Sequence, residues 1–253
     1  MKIALDRGHA AINPDTGWFD PGAVNGKYQE HQLASDIIVE MSKLLQGSVP
    51  YFIPRATWDT RVRYNEAIAN GCTHYLCIHI NASINPSANG AECWWWKYNS
   101  RVFAENIMKH LKTISNRGVY MKNGVLGQQI ASIPYAFLEL GFISNQNDLQ
   151  KLISEKTTIA KELCKALEET MGVKIVKKNK VKLTLNQQGP DKDKVYRSID
   201  GGAQEVIVKM EKHMPFIDEA NHLKLRDAVN ILRPGAVIRY DVNTKVTTIE
   251  WEE

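Results

Sequence analysis

Two histidines of this 253-residue chain stand at the ends of short apolar runs. His9 follows the run at residues 2–5, and His79 ends the run that begins at Tyr75. Because the carboxyl ends of parallel strands meet at one edge of a sheet, both imidazoles are expected at the same edge. Catalytic zinc usually takes three protein ligands from His, Asp or Glu and leaves a fourth position open. The two histidines therefore supply most of a zinc site, and a third ligand is required.

Two neighbouring residues compete to be that third ligand. Glu30 stands at the start of the first amphipathic segment, after the loop 20–23, where the chain turns back toward the same strand edge. His31 is adjacent and has the right chemistry too. The residue types and spacing alone leave both open.

Glu139 lies in the apolar run 137–142. A carboxylate among apolar neighbours is costly unless it is paired or functional, so Glu139 is the candidate general base. Zinc lowers the pKa of bound water to roughly 7, and a nearby carboxylate can take the remaining proton and pass it to a departing amine. Together these residues predict hydrolysis of an amide.

Each of these residues also has an ordinary structural interpretation. A histidine at a strand end is often a satisfied polar residue, and a glutamate near a helix start favours the helix dipole. Their joint placement at corresponding strand edges favours a site, although it leaves the class of metal enzyme open. Asp6, beside His9, is expected to orient a zinc-bound histidine or to be structural, and not to be a ligand.

Short strands alternate with amphipathic helices in the elements that must position these residues, which predicts an α/β fold: a mainly parallel sheet flanked by helices. The predicted strands are residues 2–5, 51–53, 75–80, 91–97 and 135–140, and the predicted helices are residues 29–45, 60–70, 100–114 and 157–171. Gly172 suits a helix end, and a lysine-rich run follows it. We therefore predict a first domain at 1–173, a linker at 174–180 and a second domain at 181–253.

The second domain is predicted to be small and α+β. Residues 181–185 and 206–210 alternate as strands do, residues 223–232 form a short helix, and residues 237–241 and 244–251 form a hairpin around Val242 and Asn243.

Composition limits the classes of partner that the chain is expected to have. The chain is 43% hydrophobic and 24% charged, as folded proteins are, and its net charge of +4 is mostly scattered, which argues against a nucleic-acid partner. No apolar stretch suits a signal peptide or a membrane span, so we expect cytoplasmic synthesis and no membrane insertion. The four cysteines form no CxxC pair and are expected to be reduced and structural.

Several sequence blocks resemble the zinc N-acetylmuramoyl-L-alanine amidases of the amidase 3 type, over about residues 1–172. The resemblance implies one zinc ion held by His9, Glu30 and His79, with Glu139 as the catalytic carboxylate, and so selects Glu30 over His31. The blocks are residues 5–9, 20–23 with Glu30, Arg55 with Asp59 and Arg63, 69–71, 78–82, 90–92, 116–119 and 133–145.

The resemblance also implies a substrate, the amide between N-acetylmuramic acid and L-alanine in bacterial peptidoglycan, and hence cell-wall lysis. Asn81 could bind this substrate or cap its strand, and Arg55 could orient a carboxylate or make a surface ion pair. Within the run 94–96, core packing is expected for most of the three tryptophans, while one exposed indole near the cleft could hold glycan. Ala10 and Ala11 stand where the family often has two glycines, and a longer loop with Trp18 and Phe19 follows them. The resemblance therefore implies the ligand His9 but not the family's loop geometry or substrate preference.

The second domain resembles, over shorter stretches, a stalk-type repeat domain of cell-surface enzymes, which implies tethering to the wall; a dimerisation or stabilising module is the alternative.

Without a signal peptide, the expected setting is a phage endolysin that reaches the wall through a holin pore or on lysis. Two other functions stay open: a zinc hydrolase of another amide, such as a peptidase or deacetylase, and an inactive wall-binding protein.

Overall fold

The computed structural model describes residues 1–175 and five later strands, at 180–186, 194–199, 205–209, 237–241 and 246–252. Contacts divide the chain into two compact units, Met1–Val176 and Lys177–Glu253.

A six-stranded sheet forms the centre of the first unit, in the order β4-β1-β5-β8-β6-β7. Every neighbouring pair in it is parallel except β6 and β8, which confirms the predicted mainly parallel sheet. Its strands are β1 (Ile3–Asp6), β4 (Tyr51–Phe52), β5 (His74–Asn81), β6 (Ala91–Trp95), β7 (Asn116–Met121) and β8 (Tyr135–Phe142), and a short hairpin of β2 (Val24–Asn25) and β3 (Tyr28–Gln29) stands apart.

Helices cover both faces of this sheet. Alternate residues of β5 enter opposite cores: Ile78 lies in the larger hydrophobic cluster and Cys77 in the smaller one. The helices are α1 (Glu30–Leu45), α2 (Thr60–Ala69), α3 (Tyr98–His110), α4 (Leu126–Ile130), α5 (Gln146–Ser154) and α6 (Lys156–Met171). Helices α1, α3 and α6 pack in the larger cluster, and α2 packs in the smaller one. The cysteines are all buried and free, as expected.

Local sequence explains the ends of these helices. The apolar residues of α6 recur at helical spacing and are buried, and the helix ends at Gly172, whose φ of 63° is the left-handed conformation that glycine adopts readily. Asp59 begins α2 by accepting a hydrogen bond from the Arg61 amide, and Asn145 begins α5 in the same way through the Asn147 and Asp148 amides.

The predicted elements of the first unit are present, with ends shifted by up to four residues. Five further elements were missed: the two-residue strands β2 and β3, strand β7, and helices α4 and α5. Strand β7 lies at the sheet edge and has mostly exposed or half-buried residues, so its sequence carries no apolar alternation. Helix α4 has only five residues, and α5 buries a narrow stripe. Strand β7 and helix α4 have no pattern strong enough to detect in a single sequence. Helix α5 does have one, with Leu149 and Leu152 buried at helical spacing after the Asn145 cap, and it was overlooked.

The second unit contains a five-stranded antiparallel sheet in the order β11-β10-β9-β13-β12. Its strands are β9 (Lys180–Asn186), β10 (Lys194–Ile199), β11 (Glu205–Lys209), β12 (Val237–Asp241) and β13 (Val246–Glu252), of which β10 was not predicted. The predicted helix at 223–232 and the turn at 242–243 lie outside the described residues. Across the described part of the chain, the helices are too short or too polar to cross a membrane.

Candidate metal centre

Three of the predicted site residues meet at one edge of the sheet. His9 follows β1, His79 lies in β5, and these strands are parallel neighbours; Glu30 is the first residue of α1. One potential ligand atom from each of the three lies within 4.8 Å of the other two, and His31 is not in this group. His31 instead places Nδ1 3.2 Å from the Pro21 carbonyl oxygen.

Glu30 is fixed between the two imidazoles. Its Oε1 atom lies 3.3 Å from His9 Nε2 and 2.9 Å from His79 Nδ1, and it accepts the Ile80 amide at 3.0 Å. Its Oε2 atom accepts the Ala23 amide at 2.8 Å. The carboxylate is therefore held by backbone on two sides, so the arrangement is preorganised.

Two glycines let the backbone approach these side chains closely. A Cβ at Gly8 would lie 2.6 Å from the His79 ring, and a Cβ at Gly22 would lie 2.5 Å from Glu30 Oε2. Both residues also have positive φ, of 73° and 69°, which disfavours other side chains. The donor set of two nitrogens and a carboxylate oxygen, packed against bare backbone, fits a zinc ion.

Asp20 orients His9. Its Oδ2 atom lies 2.7 Å from His9 Nδ1, and Oδ1 accepts the Gly22 amide at 3.0 Å. An ionised carboxylate only accepts hydrogen bonds, so the proton of His9 belongs on Nδ1 and Nε2 is available for a metal. This residue was present in the loop 20–23 but its role was missed.

Asp6 does not lie among the three candidate ligands, and its contacts distinguish the two roles, orienting or structural, that the sequence left open. It is buried, accepts the Tyr75 hydroxyl at 2.7 Å and the Gly8 amide at 3.0 Å, and pairs with Arg63 Nε at 3.1 Å. These three partners all belong to the scaffold beneath the centre. Asp6 is therefore structural, the other alternative that the sequence allowed.

Asp20→Asn and Asp6→Asn are a matched pair for separating these roles. Asp20→Asn is expected to weaken zinc binding by about 10- to 100-fold, because the hydrogen bond that orients His9 loses its charged acceptor. Asp6→Asn is expected to lower the free energy of unfolding by about 3 kcal/mol, because it leaves buried Arg63 unpaired, with zinc affinity nearly unchanged. Competition with a fluorescent chelator and urea unfolding measure the two quantities. Equal losses of zinc affinity would contradict the assignment.

Glu139 lies one strand away from His79, one of the three candidate ligands. It pairs in register with His79 on one side and with Glu92 on the other, so the three side chains share one face of the sheet. Among the described residues, Glu139 Oε2 is buried and has no hydrogen-bond partner. Burial, with the negative charges of Glu30 and Glu92, raises the pKa of Glu139 to about 8.

Glu92 pairs with Glu139 across the sheet, but its carboxylate, unlike that of Glu139, has several polar partners. It accepts the indole N–H of Trp94 at 2.8 Å and pairs with Arg117 and Lys122 at 3.1 and 3.3 Å. Burial opposes ionisation, but these three partners outweigh it and lower the pKa of Glu92. Glu92 is therefore a structural carboxylate whose negative charge is balanced by Arg117 and Lys122. Glu139 instead has an oxygen without a hydrogen-bond partner among the described residues, which is available for proton transfer.

Metal binding should compete with a proton on His9. Burial lowers the pKa of His9, but hydrogen bonds and charge attraction from Glu30 and Asp20 outweigh it and raise the pKa to about 9 in the metal-free protein. A ligating imidazole must be neutral, so below pH 9 zinc has to displace this proton. Apparent zinc affinity is expected to rise about tenfold per pH unit between pH 6 and 8, with proton release in calorimetry. An affinity independent of pH over this range would contradict the prediction.

The two predicted substrate-binding residues lie outside this cluster. The Arg55 side chain is 70% exposed, with Nε 3.5 Å from Glu66 Oε1, which agrees with a surface ion pair. Asn81 ends β5, and its side-chain oxygen accepts the Ala82 amide at 2.8 Å, as a cap does. Both substrate-binding assignments stay predictions.

The tryptophan run packs as expected for neighbouring strand residues. Trp95 lies in the larger cluster, and Trp94 packs against the smaller one, where it stacks on Phe137 with ring centroids 4.9 Å apart. Trp96 follows the strand and is half-buried.

Residues 3–169 match the model of the N-acetylmuramoyl-L-alanine amidase family, so the chain belongs to this family. The match covers nearly all of the first unit, including the sheet and the whole cluster.

Particular relatives point the same way. The chain is 32% identical to the probable cell wall amidase LytH of Staphylococcus aureus over 154 residues, which are 58% of this chain and 49% of that protein. The corresponding protein of Staphylococcus saprophyticus is 29% identical over 160 residues, 61% of this chain and 52% of that protein. The chain spans about half the length of these relatives.

Solved structures confirm the fold. The catalytic domain of CwlV, an N-acetylmuramoyl-L-alanine amidase from Bacillus (Paenibacillus) polymyxa, superposes with a TM-score of 0.62 at 22% identity, covering 68% of this chain and 99% of that one. The catalytic domain of the CD27L endolysin, which targets Clostridia difficile, superposes with a TM-score of 0.55 at 19% identity, covering 67% and 97%.

Proposed function

We propose that this chain is a zinc-dependent hydrolase of the amide bond between N-acetylmuramic acid and L-alanine in peptidoglycan. One observation carries the proposal: His9, Glu30 and His79 converge at the sheet edge, and Glu139 stands one strand away with an unpartnered buried oxygen. Family membership supplies the substrate class. LytH, similar to this chain over about half its length, is described as a probable cell wall amidase.

The residues divide the work between metal binding and proton transfer. His9, Glu30 and His79 would hold one zinc ion, which supplies Lewis-acid chemistry by polarising a carbonyl and lowering the pKa of water to about 7. Glu139 accepts a proton from the water molecule as its oxygen attacks the lactyl carbonyl carbon. As the carbon–nitrogen bond breaks, Glu139 returns that proton to the departing amine. The products are a free lactyl carboxyl group and a stem peptide with an L-alanine amino terminus.

Glu139 must be ionised to accept that proton, and its pKa near 8 in the metal-free protein means that it is mostly protonated at neutral pH. A divalent cation held by His9, Glu30 and His79 would add positive charge near this carboxylate. We infer that metal binding lowers the pKa of Glu139 and so favours its ionised form, which can act as the base.

Digestion of purified Gram-positive peptidoglycan tests the proposal, with zinc-loaded and chelator-stripped protein compared and fragments identified by mass spectrometry. Zinc-dependent release of intact stem peptides, with the glycan chains whole, is the expected result. Peptides cut internally, or free acetate, would indicate a peptidase or a deacetylase instead. Binding without release would indicate an inactive wall-binding protein.

We propose cell-wall lysis as the biological role, in the manner of a phage endolysin acting after release from the cytoplasm. The catalytic domain of the CD27L endolysin shares the fold. In this proposal, residues 1–173 form the catalytic domain, residues 174–180 the linker, and residues 181–253 a module that binds the wall or forms a dimer. Sedimentation velocity of the full chain, with and without soluble wall fragments, separates these two roles of the second module.

A further inference from the structure

A small cavity of about 150 Å³ opens directly beside the candidate metal centre. His9 and His79 line one part of it, and Trp58, Thr60 and Val125 line another. Trp58 is 51% exposed, which is high for the largest apolar side chain. A half-exposed indole in the wall of a catalytic cavity presents an apolar surface to whatever enters.

Arg63 ties the segment carrying Trp58 to the metal centre. Its Nη1 atom donates to the carbonyl oxygen of Gly8, next to His9, and at 3.2 Å to that of Thr57, next to Trp58. Its Nε atom pairs with buried Asp6 at 3.1 Å. One buried guanidinium therefore fixes the position of the tryptophan backbone relative to a metal ligand.

The other side of this segment is fixed as well. The Thr60 hydroxyl accepts the Gly127 amide at 2.9 Å, which holds the start of α4 against the start of α2. A Cβ at Gly127 would lie 2.8 Å from the Thr60 carbonyl oxygen, so the two segments are in close contact. The wall containing Trp58 is thus preorganised before substrate arrives, which reduces the entropy lost on binding.

We propose that Trp58 is the platform on which the muramyl sugar stacks while its lactyl amide lies at the metal centre. This inference rests on the proposed amidase function and identifies the part of the site that binds the glycan. A pyranose ring has an apolar face of C–H groups and a rim of hydroxyl groups. The indole offers a flat apolar surface, and the threonines and Asp20 around the same cavity offer polar groups.

The stem peptide has a different surface available. An open groove of about 520 Å³ begins close to the same ligands, because Val24 follows Ala23, which binds Glu30, and Ala82 lies shortly after His79. Among the described residues, its lining consists of aliphatic and hydroxyl side chains and the Asn25 carboxamide, and it includes no aromatic ring. An indole is better covered by a sugar ring than by the methyl group of L-alanine, so we place the glycan at Trp58.

Steady-state kinetics on a soluble disaccharide-peptide from peptidoglycan tests the platform, using zinc-loaded full-length Trp58→Ala, Trp58→Phe and Trp18→Ala. Trp18 is 79% exposed and does not line the cavity, so it is the matched control. Trp58→Ala is expected to raise KM about tenfold with kcat within about twofold. Trp58→Phe recovers part of the loss, and Trp18→Ala resembles wild type. Peptide-free glycan is expected to inhibit wild type competitively and Trp58→Ala about tenfold less.

The outcomes separate the two levels of inference. An active wild type whose KM is unchanged by Trp58→Ala, or that peptide-free glycan does not inhibit, overturns the platform alone. A fall in kcat with loss of zinc would show that Trp58 supports the metal centre, and it overturns the platform too. A zinc-loaded wild type that cleaves no disaccharide-peptide overturns the proposed function, and the platform with it.

Discussion

Glu139→Gln is expected to lower kcat on a soluble disaccharide-peptide by about a thousandfold, because the amide cannot take the proton from the attacking water. The substitution keeps the shape of a side chain that has an unpartnered buried oxygen among the described residues. Zinc content should be unchanged, since Glu139 does not belong to the cluster of potential ligands. Initial rates, with zinc measured by mass spectrometry on the same samples, give both values.

Glu92→Gln is the control for this experiment. It makes the same change of charge at the neighbouring position in the same row, where the carboxylate is engaged by Trp94, Arg117 and Lys122. We expect it to alter stability and to keep kcat within about tenfold of wild type. A Glu139→Gln protein as active as Glu92→Gln would remove Glu139 from the mechanism.

His79→Ala is expected to weaken zinc binding by at least about 100-fold and to abolish activity. The loss should be large because His79 is buried and contacts Glu30 at 2.9 Å, so its removal takes away a ligand and also leaves the carboxylate less firmly held. Titration against a chelator of known affinity measures the effect. Thermal unfolding with and without zinc measures it independently, since only bound metal raises the Tm.

His31→Ala is the matched control for the second experiment. His31 is adjacent to Glu30, carries the same ring, and faces the Pro21 carbonyl oxygen and Phe19. Its removal should leave the zinc-dependent rise in Tm intact. A loss of that rise in His31→Ala but not in His79→Ala would reverse the choice of ligands.

Much of the fold follows from apolar periodicity. Strand β5 is an almost continuous apolar run, and α6 has buried residues at helical spacing, so both are visible in the sequence. Edge strand β7 was not visible, because an exposed edge places no demand on side-chain pattern. The antiparallel direction of β6 against β8 was also hidden, since strand direction depends on how connections pack and not on local residues.

The candidate site, like the fold, was only partly predictable from the sequence. His9, His79 and Glu139 could be proposed because polar residues within apolar runs, or at their ends, stand out. Asp20 could not, because its role depends on how the loop returns to His9 at 2.7 Å. Trp58 was likewise invisible beside the run at 94–96, since exposure is a property of the fold and not of the residue type.

The convergence of His9, Glu30 and His79 also affects the mechanics of the chain. Glu30 and His79 are 49 residues apart in sequence and belong to a helix and a strand, while His9 belongs to the loop after another strand. An ion bound to all three would cross-link these segments and close long loops, which restricts the unfolded chain. Zinc binding at the proposed site would therefore increase the resistance of the folded chain to heat and to proteases, in addition to its proposed role in catalysis.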